Sequence, residues 1–335
     1  MERFFHFSKK SSVLAQALLN ARSMNQKIPR RPSLRCPYND CENRSLSLGI
    51  TRAHPNSGLI VRRGRYLRAE DSRWISRYRC LGCKRSFSSS RLTPCFRQKK
   101  RRLNSSIHKL LSSGVSQRRI ARLLKINSKT VVRKFLFLAT QAKSERIAFL
   151  GELSTSPSRI CHLHFDEMES FERSKCLPLS IPLVVEAGSR KILGFRVGRM
   201  PAKGPLASIS LRKYGPREDD RASIVGDLFR ELKSAVAENA QIRSDQNPRY
   251  PDWLKPHFPK ANHRTFKGRR GCIVGQGELK KIGFDPLFDL NHTAAMLRAN
   301  VNRLFRRTWC TTKKRDRLEA HLEIYAQYHN QVLTA

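Results

Sequence analysis

Apolar residues recur at helical spacing from Arg101 onward, with Leu103, Ile107, Leu110 and Leu111 on one face. Ser113-Gly114-Val115-Ser116 interrupts that face, and Ser116 is placed to cap a second short helix, Gln117 to Leu124. Ile120, Leu123 and Leu124 point inward on it. Lys125-Ile126-Asn127-Ser128 turns the chain. A third helix is expected from Lys129 to Leu138, packing through Val131, Val132, Phe135 and Leu138. The period then changes. Arg159 to Asp166 alternates, which places His162, His164 and Asp166 on one strand face. Leu179 to Glu186 is apolar and β-branched, Ala187 to Arg190 turns, and Lys191 to Arg199 returns as a hairpin partner. A helical stretch from Asp219 to Ala240 carries Ile224, Leu228, Phe229, Leu232 and Val236 on one face. A short strand, Gln241 to Asp245, follows. The rest reads as a short helix near Trp253, a strand at His263 to Lys267, a glycine-rich loop at Gly268 to Gly283, and helices at about Thr293–Arg307 and Lys313–Gln331.

Composition narrows the class. A chain of 335 residues with 39% hydrophobic content holds two or three domains with real cores and is not a disordered basic tail. No uncharged apolar run approaches the ~20 residues that cross a bilayer, and Met1 to Lys10 lacks the apolar stretch of a secretory signal. Charge points to a partner. Against 26 Asp+Glu stand 67 Lys+Arg, a formal net charge of +41. Such a field suits a polyanion, and nucleic acid is the expected one; no basic amphipathic helix with an aromatic face argues for a membrane surface. Residues 1–150 hold 35 Lys+Arg and 6 Asp+Glu, a net of +29, whereas residues 151–335 hold 32 and 20, a net of +12. The first half has the character of a binding region, and the second has carboxylates free for other work.

Nine cysteines are too few for a disulfide framework at this length. Four of them fall in two close pairs, Cys36-Pro-Tyr-Asn-Asp-Cys41 and Cys80-Leu-Gly-Cys83. Each pair can sit on a tight turn, and four thiolates close a tetrahedral Zn²⁺ site. The run Tyr78 to Phe87, a strand entering a glycine-containing knuckle with a basic-aromatic exit, reads as part of a zinc ribbon; the alternative is four unrelated buried thiols. The other five cysteines read as small core or surface residues.

The Gly114 to Leu124 run followed by Ser128-Lys129-Thr130-Val131 has the helix-turn-helix pattern, with small Ala121 allowing a close helix crossing. Ser128, Lys129, Thr130 and Arg133 are candidates for groove contacts, and Arg118, Arg119 and Arg122 for phosphate contacts. A basic helical hairpin without that role is the plainer alternative. The later order of three strands, helix, strand, helix, strand, helix matches an RNase H-like domain. In that fold an aspartate on the first strand and one ending the fourth lie side by side, here Asp166 and Asp245. Adjacent carboxylates repel, and divalent cations relieve the repulsion.

Zinc ribbon, helix-turn-helix and RNase H-like core, in that order over about residues 30–330, resemble a DDE-type insertion-sequence transposase. The stretches His164-Phe165-Asp166-Glu167-Met168-Glu169-Ser170-Phe171, Ser244-Asp245-Gln246-Asn247-Pro248, Asn291-His292-Thr293 and Arg303 to Lys313 carry the resemblance. It implies a multidomain α/β protein: an N-terminal tail at 1–30, a zinc ribbon at 31–98, a helix-turn-helix at 99–145 and an RNase H-like mixed-sheet catalytic domain at 155–332. It implies binding of terminal inverted repeats, then strand cleavage and strand transfer with Mg²⁺ or Mn²⁺ held by Asp166 and Asp245. Double-stranded DNA, as element ends and target, is the implied partner, with a homo-oligomer in a synaptic complex and a bacterial, nucleoid-associated cytoplasmic location. The family's third residue is a glutamate at the start of the last-but-one helix. Here Asn291 stands at that position, with Asp289 two residues earlier, and Glu278 in the glycine-rich loop is a second candidate. Asp316 and Glu319 read as solvated helix positions. The departure motivates an alternative, a DNA-binding regulator or inactive remnant. Lys267-Gly268-Arg269-Arg270-Gly271 is either a DNA-backbone contact or a surface loop, Arg298, Arg303, Arg306 and Arg307 can line one helix side, and His162 and His164 read as packing or supporting residues.

Overall fold

The computed structural model describes residues 34–44, 60–157, 159–267, 285–305 and 310–334. The expected tail at 1–30, Cys272, Glu278, Arg269, Arg270, Arg306 and Arg307 lie outside the described residues. The chain divides into two compact units, Met1–Arg101 and Arg102–Ala335.

The first unit holds a three-stranded antiparallel sheet, β1 (Ile60–Arg68), β2 (Arg73–Cys80) and β3 (Ser86–Ser88), in that order. Its core is small. The buried cluster consists of Cys36, Cys41, Cys80 and Phe87, with Leu34, Tyr38, Ile60, Tyr78 and Cys83 packed around it. So little apolar mass does not hold a segment of this length by burial alone.

The second unit begins with α1 (Leu103–Leu111), α2 (Gln117–Leu123) and α3 (Ser128–Thr155). Ser116 caps α2 as its position suggested, its Oγ accepting from Arg119 N at 3.4 Å, and Asn127 Oδ1 accepts from Lys129 N at 2.8 Å to start α3. Gly114 takes a positive φ of 72°, and a Cβ there would stand 2.8 Å from the Phe305 ring. The third helix does not stop at Leu138. It runs for 28 residues because Ala139, Ala142, Arg146 and Leu150 continue its buried face.

A mixed sheet follows: β4 (Ile160–Phe171), β5 (Pro178–Glu186), β6 (Ile192–Phe195), β7 (Gly198–Arg199), β8 (Val236–Asp245) and β9 (Asn262–Phe266). The order is β6-β5-β4-β8-β9, with β7 paired to β5. β4–β5 and β5–β6 are antiparallel, while β4–β8 and β8–β9 are parallel. The helices are α4 (Leu206–Tyr214), α5 (Arg221–Leu232), α6 (Tyr250–Leu254), α7 (Phe288–Asn300) and α8 (Arg315–Tyr328). This is an α/β fold with a mixed sheet. Leu163, Phe165, Val184 and Ile242 pack with Val225, Leu228 and Phe229 of α5 and Tyr250 of α6. Ile181, Leu183 and Val185 pack with Leu290 and Leu297 of α7 and Leu318 and Leu322 of α8. No helix among the described residues is long and apolar enough to cross a membrane.

The helical part and the sheet share one unit because α8 packs on both: Ile324 joins the α1–α3 core while Leu322 and Tyr325 join the sheet core. Arg146 of α3 fastens them. Its guanidinium meets Glu323 of α8 in two bonds of 2.9 and 3.0 Å, and also reaches Glu231 of α5, which Arg196 contacts at 2.5 Å. A buried guanidinium is tolerated only with its donors paired.

Candidate functional site

Two sites follow from this scaffold, one in each unit. In the first, the turn 36–41 and the knuckle 80–83 face each other. Cys36 Sγ lies 3.7 Å from Cys83 Sγ, Cys41 Sγ lies 3.7 Å from Cys80 Sγ, and all four sulfurs fall within 4.8 Å of one another. Thiolates at about 2.3 Å from a tetrahedral zinc are about 3.8 Å apart, so the spacing fits a four-sulfur metal site. These cysteines could bind a metal ion such as zinc. The knuckle is tight: a Cβ on Gly82 would meet Asn43 Nδ2 at 2.6 Å, and that same amide nitrogen reaches Cys80 Sγ at 3.5 Å. The Arg85 backbone N–H holds Cys83 down at about 6, against burial, while burial pushes Cys36 up to about 12. A bound cation favours the thiolate at all four. Of the other cysteines, Cys176 is buried, Cys95 and Cys310 are half-buried, and Cys161 is exposed.

In the second unit, Phe165 of β4 pairs with Ser244 of β8 in parallel register, so Asp166 and Asp245 follow on neighbouring strands. Both line one polar pocket with Glu167, Glu169, Ser180, Lys203, Arg221, Asn247 and Tyr250. Tyr250 Oη donates to Asp166 Oδ1 at 3.0 Å, and the Glu167 N–H donates to the same oxygen at 2.7 Å. The Asn247 N–H donates to Asp245 Oδ1 at 3.1 Å. Burial and then the Asp245 charge push Asp166 up to about 6. Glu167 is raised as well, chiefly by burial, and its Oε1 accepts from Ser180 Oγ at 2.5 Å. Tyr250 is pushed well above its ordinary value, by burial first and by Asp166 next, and remains a donor.

Sequence reasoning singled out the two aspartates and missed Tyr250, Glu167 and Ser180. The Glu167 signal was adjacency to Asp166; nothing in the sequence pointed to Tyr250. Asn291 is not among the residues lining this pocket. It is exposed on α7, and its Nδ2 donates to Asp285 Oδ2 at 2.9 Å. Asp289 Oδ2 instead accepts from the Gly188 N–H at 2.8 Å, at the β5–β6 turn. Burial lowers the His164 pKa, opposed by the Asp289 carboxylate, and neither of its ring nitrogens is hydrogen-bonded among the described residues, while His162 is exposed. Glu278 lies outside the described residues. Arg298 and Arg303 do not share a helix, because α7 ends at Asn300 and Arg303 lies in the following turn, over Phe135. Asp316 falls in the first turn of α8, and burial raises the half-buried Glu319.

On the helical part, Arg118, Arg119 and Arg122 of α2 and Ser128, Lys129 and Arg133 of α3 are exposed, with Thr130 half-buried. Lys125 makes the turn between the two helices at a positive φ of 49°. No protein-family model matches the chain, and no curated protein matches it.

Two outcomes are expected. Full-length protein should carry one zinc per chain. Cys80→Ser or strong chelation should remove it and unfold the Met1–Arg101 unit, read as lost protection of β1–β3 amides by hydrogen exchange; persistent protection without metal contradicts this. The second concerns pH. Because Asp166 keeps its proton up to about 6 when folded, it favours folding of metal-free protein below the unfolded value of about 3.9. That contribution is lost as pH rises through about 6. Between acid and neutral pH, wild type should lose roughly 2–3 kcal/mol relative to Asp166→Asn in urea unfolding, and parallel pH profiles would contradict the assignment.

Proposed function

We propose that this chain is a DDE-type insertion-sequence transposase that binds element ends and performs metal-dependent DNA strand cleavage and strand transfer. One observation carries the reading: Asp166 and Asp245 line one pocket from adjacent parallel strands of a sheet ordered β6-β5-β4-β8-β9. Counted along the sheet-forming chain, with the short β7 aside, that order is 3-2-1-4-5 with the second strand antiparallel, the arrangement expected of an RNase H-like core. The four-cysteine unit is read as a zinc ribbon, and α2 with α3 as a helix-turn-helix whose exposed Lys129 and Arg133 face a groove.

In this reading Asp166 and Asp245 hold Mg²⁺ or Mn²⁺, and paired carboxylate oxygens suit that hard cation. Bound there, the metal supplies Lewis-acid polarisation of the phosphodiester and stabilises the leaving oxygen. Tyr250 and the Glu167 N–H fix the Asp166 carboxylate, and the Asn247 N–H fixes Asp245. Lys203, paired with Glu169, and Arg221, paired with Asp219, line the pocket and would meet phosphate oxygens of the strand being cut. Glu167 and Glu169, rather than Asn291, are the further acidic residues at the pocket.

A second reading, a DNA-binding regulator or inactive remnant, is favoured by one feature: Asn291 engages Asp285 and does not line the acidic pocket. Cleavage separates the two. Full-length protein with Mg²⁺ or Mn²⁺ should nick duplex DNA carrying the element ends, and Asp166→Ala or Asp245→Ala should lower the rate at least about a hundredfold while leaving end binding intact. Specific binding with no metal-dependent cleavage favours the regulator, and full activity in either variant removes the site assignment.

A further inference from the structure

We propose that the β1–β2 hairpin is a second duplex-DNA contact surface, with Trp74 and Leu67 set into a groove and Arg62, Arg63 and Arg65 on the flanking phosphates. This rests on the DNA-binding half of the function proposed above and not on catalysis.

The hairpin's two strands, IVRRGRYLR and RWISRYRC, hold seven arginines and no acid. The turn does carry Glu70 and Asp71, but both are engaged. Asp71 takes Arg68, bonding its Nε at 2.7 Å, and Glu70 Oε1 accepts from Arg101 N at 3.1 Å. Arg62, Arg63, Arg65 and Arg77 form no ion pair among the described residues. Four guanidiniums without carboxylate partners on one short ribbon suit an anion from outside.

Register explains the apolar centre. Leu67 stands opposite Trp74, and Arg62 opposite Tyr78, so these side chains share one face with Ile60 and Cys80. Toward the cysteine cluster that face is packed. Toward the turn it is open, with Trp74 58% and Leu67 52% exposed. A tryptophan and a leucine bare to this extent, side by side on a ribbon whose other end is anchored by four cysteines, form a protruding surface with a fixed base. The arginines are also arranged. The Arg65 guanidinium lies 4.5 Å from the Trp74 ring centre and that of Arg77 lies 4.8 Å from Tyr66, so two cations are held extended by stacking before any partner arrives. Gly64, at a positive φ of 80°, marks a break in register between Arg62 and Arg65. A bulge of this kind adds an unpaired residue and twists the ribbon, here turning Arg63 out of the regular alternation.

The occupant follows from charge and width. A protein with an apolar patch would bury Trp74 and Leu67 but leave the surrounding guanidiniums desolvated and unpaired, at a cost of several kcal/mol. Duplex DNA satisfies both parts: its major groove, about 12 Å wide, admits a two-stranded ribbon, thymine methyls and base edges take apolar contacts, and phosphates flank the groove on both sides.

The test uses the full chain and fluorescently labelled duplex DNA, with affinity measured by anisotropy across a potassium chloride series. The combined Arg62→Ala, Arg63→Ala, Arg65→Ala variant should reduce the slope of log affinity against log salt by about 2–3, since each phosphate contact contributes about 0.9. Trp74→Ala should weaken binding roughly fivefold or more with the slope unchanged. Zinc content should match the parent in both, because all four side chains are exposed. Variants that bind duplex DNA with the parent's affinity and slope overturn the hairpin assignment while leaving the transposase reading standing. A Trp74 effect seen only with single-stranded DNA or with an acidic protein overturns it too. Loss of cleavage in Asp166→Ala bears on the core alone and does not enter this assay.

Discussion

The parallel pairing of β4 with β8 is the constraint on which the rest of the second unit depends. Parallel neighbours cannot be joined by a tight turn, so the chain must leave the sheet and return. It does so through the β5–β6 hairpin, α4 and α5, and α5 lays Val225, Leu228 and Phe229 on the sheet as it crosses. The return brings Asp245 beside Asp166, two like charges in one polar pocket. That arrangement works against folding unless a proton or a cation shares it. The α6 helix, opening at Tyr250 five residues beyond Asp245, adds a hydroxyl donor to Asp166 and so ties the next element to the same point.

The 28-residue α3 extends the constraint outward. Its first turns carry exposed Lys129 and Arg133, and its later turns carry Arg146 into a buried contact with Glu323 and Glu231. One continuous helix therefore runs from the cationic surface to the helices that cover the sheet. Under the proposed function, the helix that grips DNA and the sheet that cuts it are tied together by this one continuous helix. The Met1–Arg101 unit solves a different problem. With a core of three cysteines and a phenylalanine, it needs a cross-link more than it needs apolar area, and four sulfurs within 4.8 Å supply the geometry for one.

How far the chain could be read varied with the kind of signal. The apolar run at Leu179 to Glu186 gave β5 closely because that strand is almost fully buried, whereas the alternation at Arg159 to Asp166 gave only the first part of β4, which runs on to Phe171 and so places Asp166 within the strand rather than at its end. Spacing gave the cysteine cluster, since close pairs of thiols have few other uses. The stretch Asp219 to Ala240 misled. Ala235, Ala237, Glu238 and Ala240 favour helix locally, yet β8 starts at Val236, where β4 offers a ladder and Val236, Ala240 and Ile242 reach the core. The last-but-one helix begins at Phe288 and stops at Asn300, earlier at both ends than its apolar spacing suggested. Leu290, Thr293, Ala294 and Leu297 form the buried stripe, and Val301 turns extended. That shift leaves Asn291 on an exposed side. The contact of Tyr250 with Asp166, across 84 residues, depends on tertiary packing that no local pattern encodes.

The central claim is that Asp166 and Asp245 form one divalent-cation site. Electron paramagnetic resonance titration of zinc-loaded, full-length protein with Mn²⁺ tests it directly, with Asp166→Asn and Asp245→Asn measured alongside. The account predicts that the parent chain takes up Mn²⁺ and that either substitution abolishes the uptake. Equal uptake by all three chains, or none by the parent at saturating Mn²⁺, would contradict it.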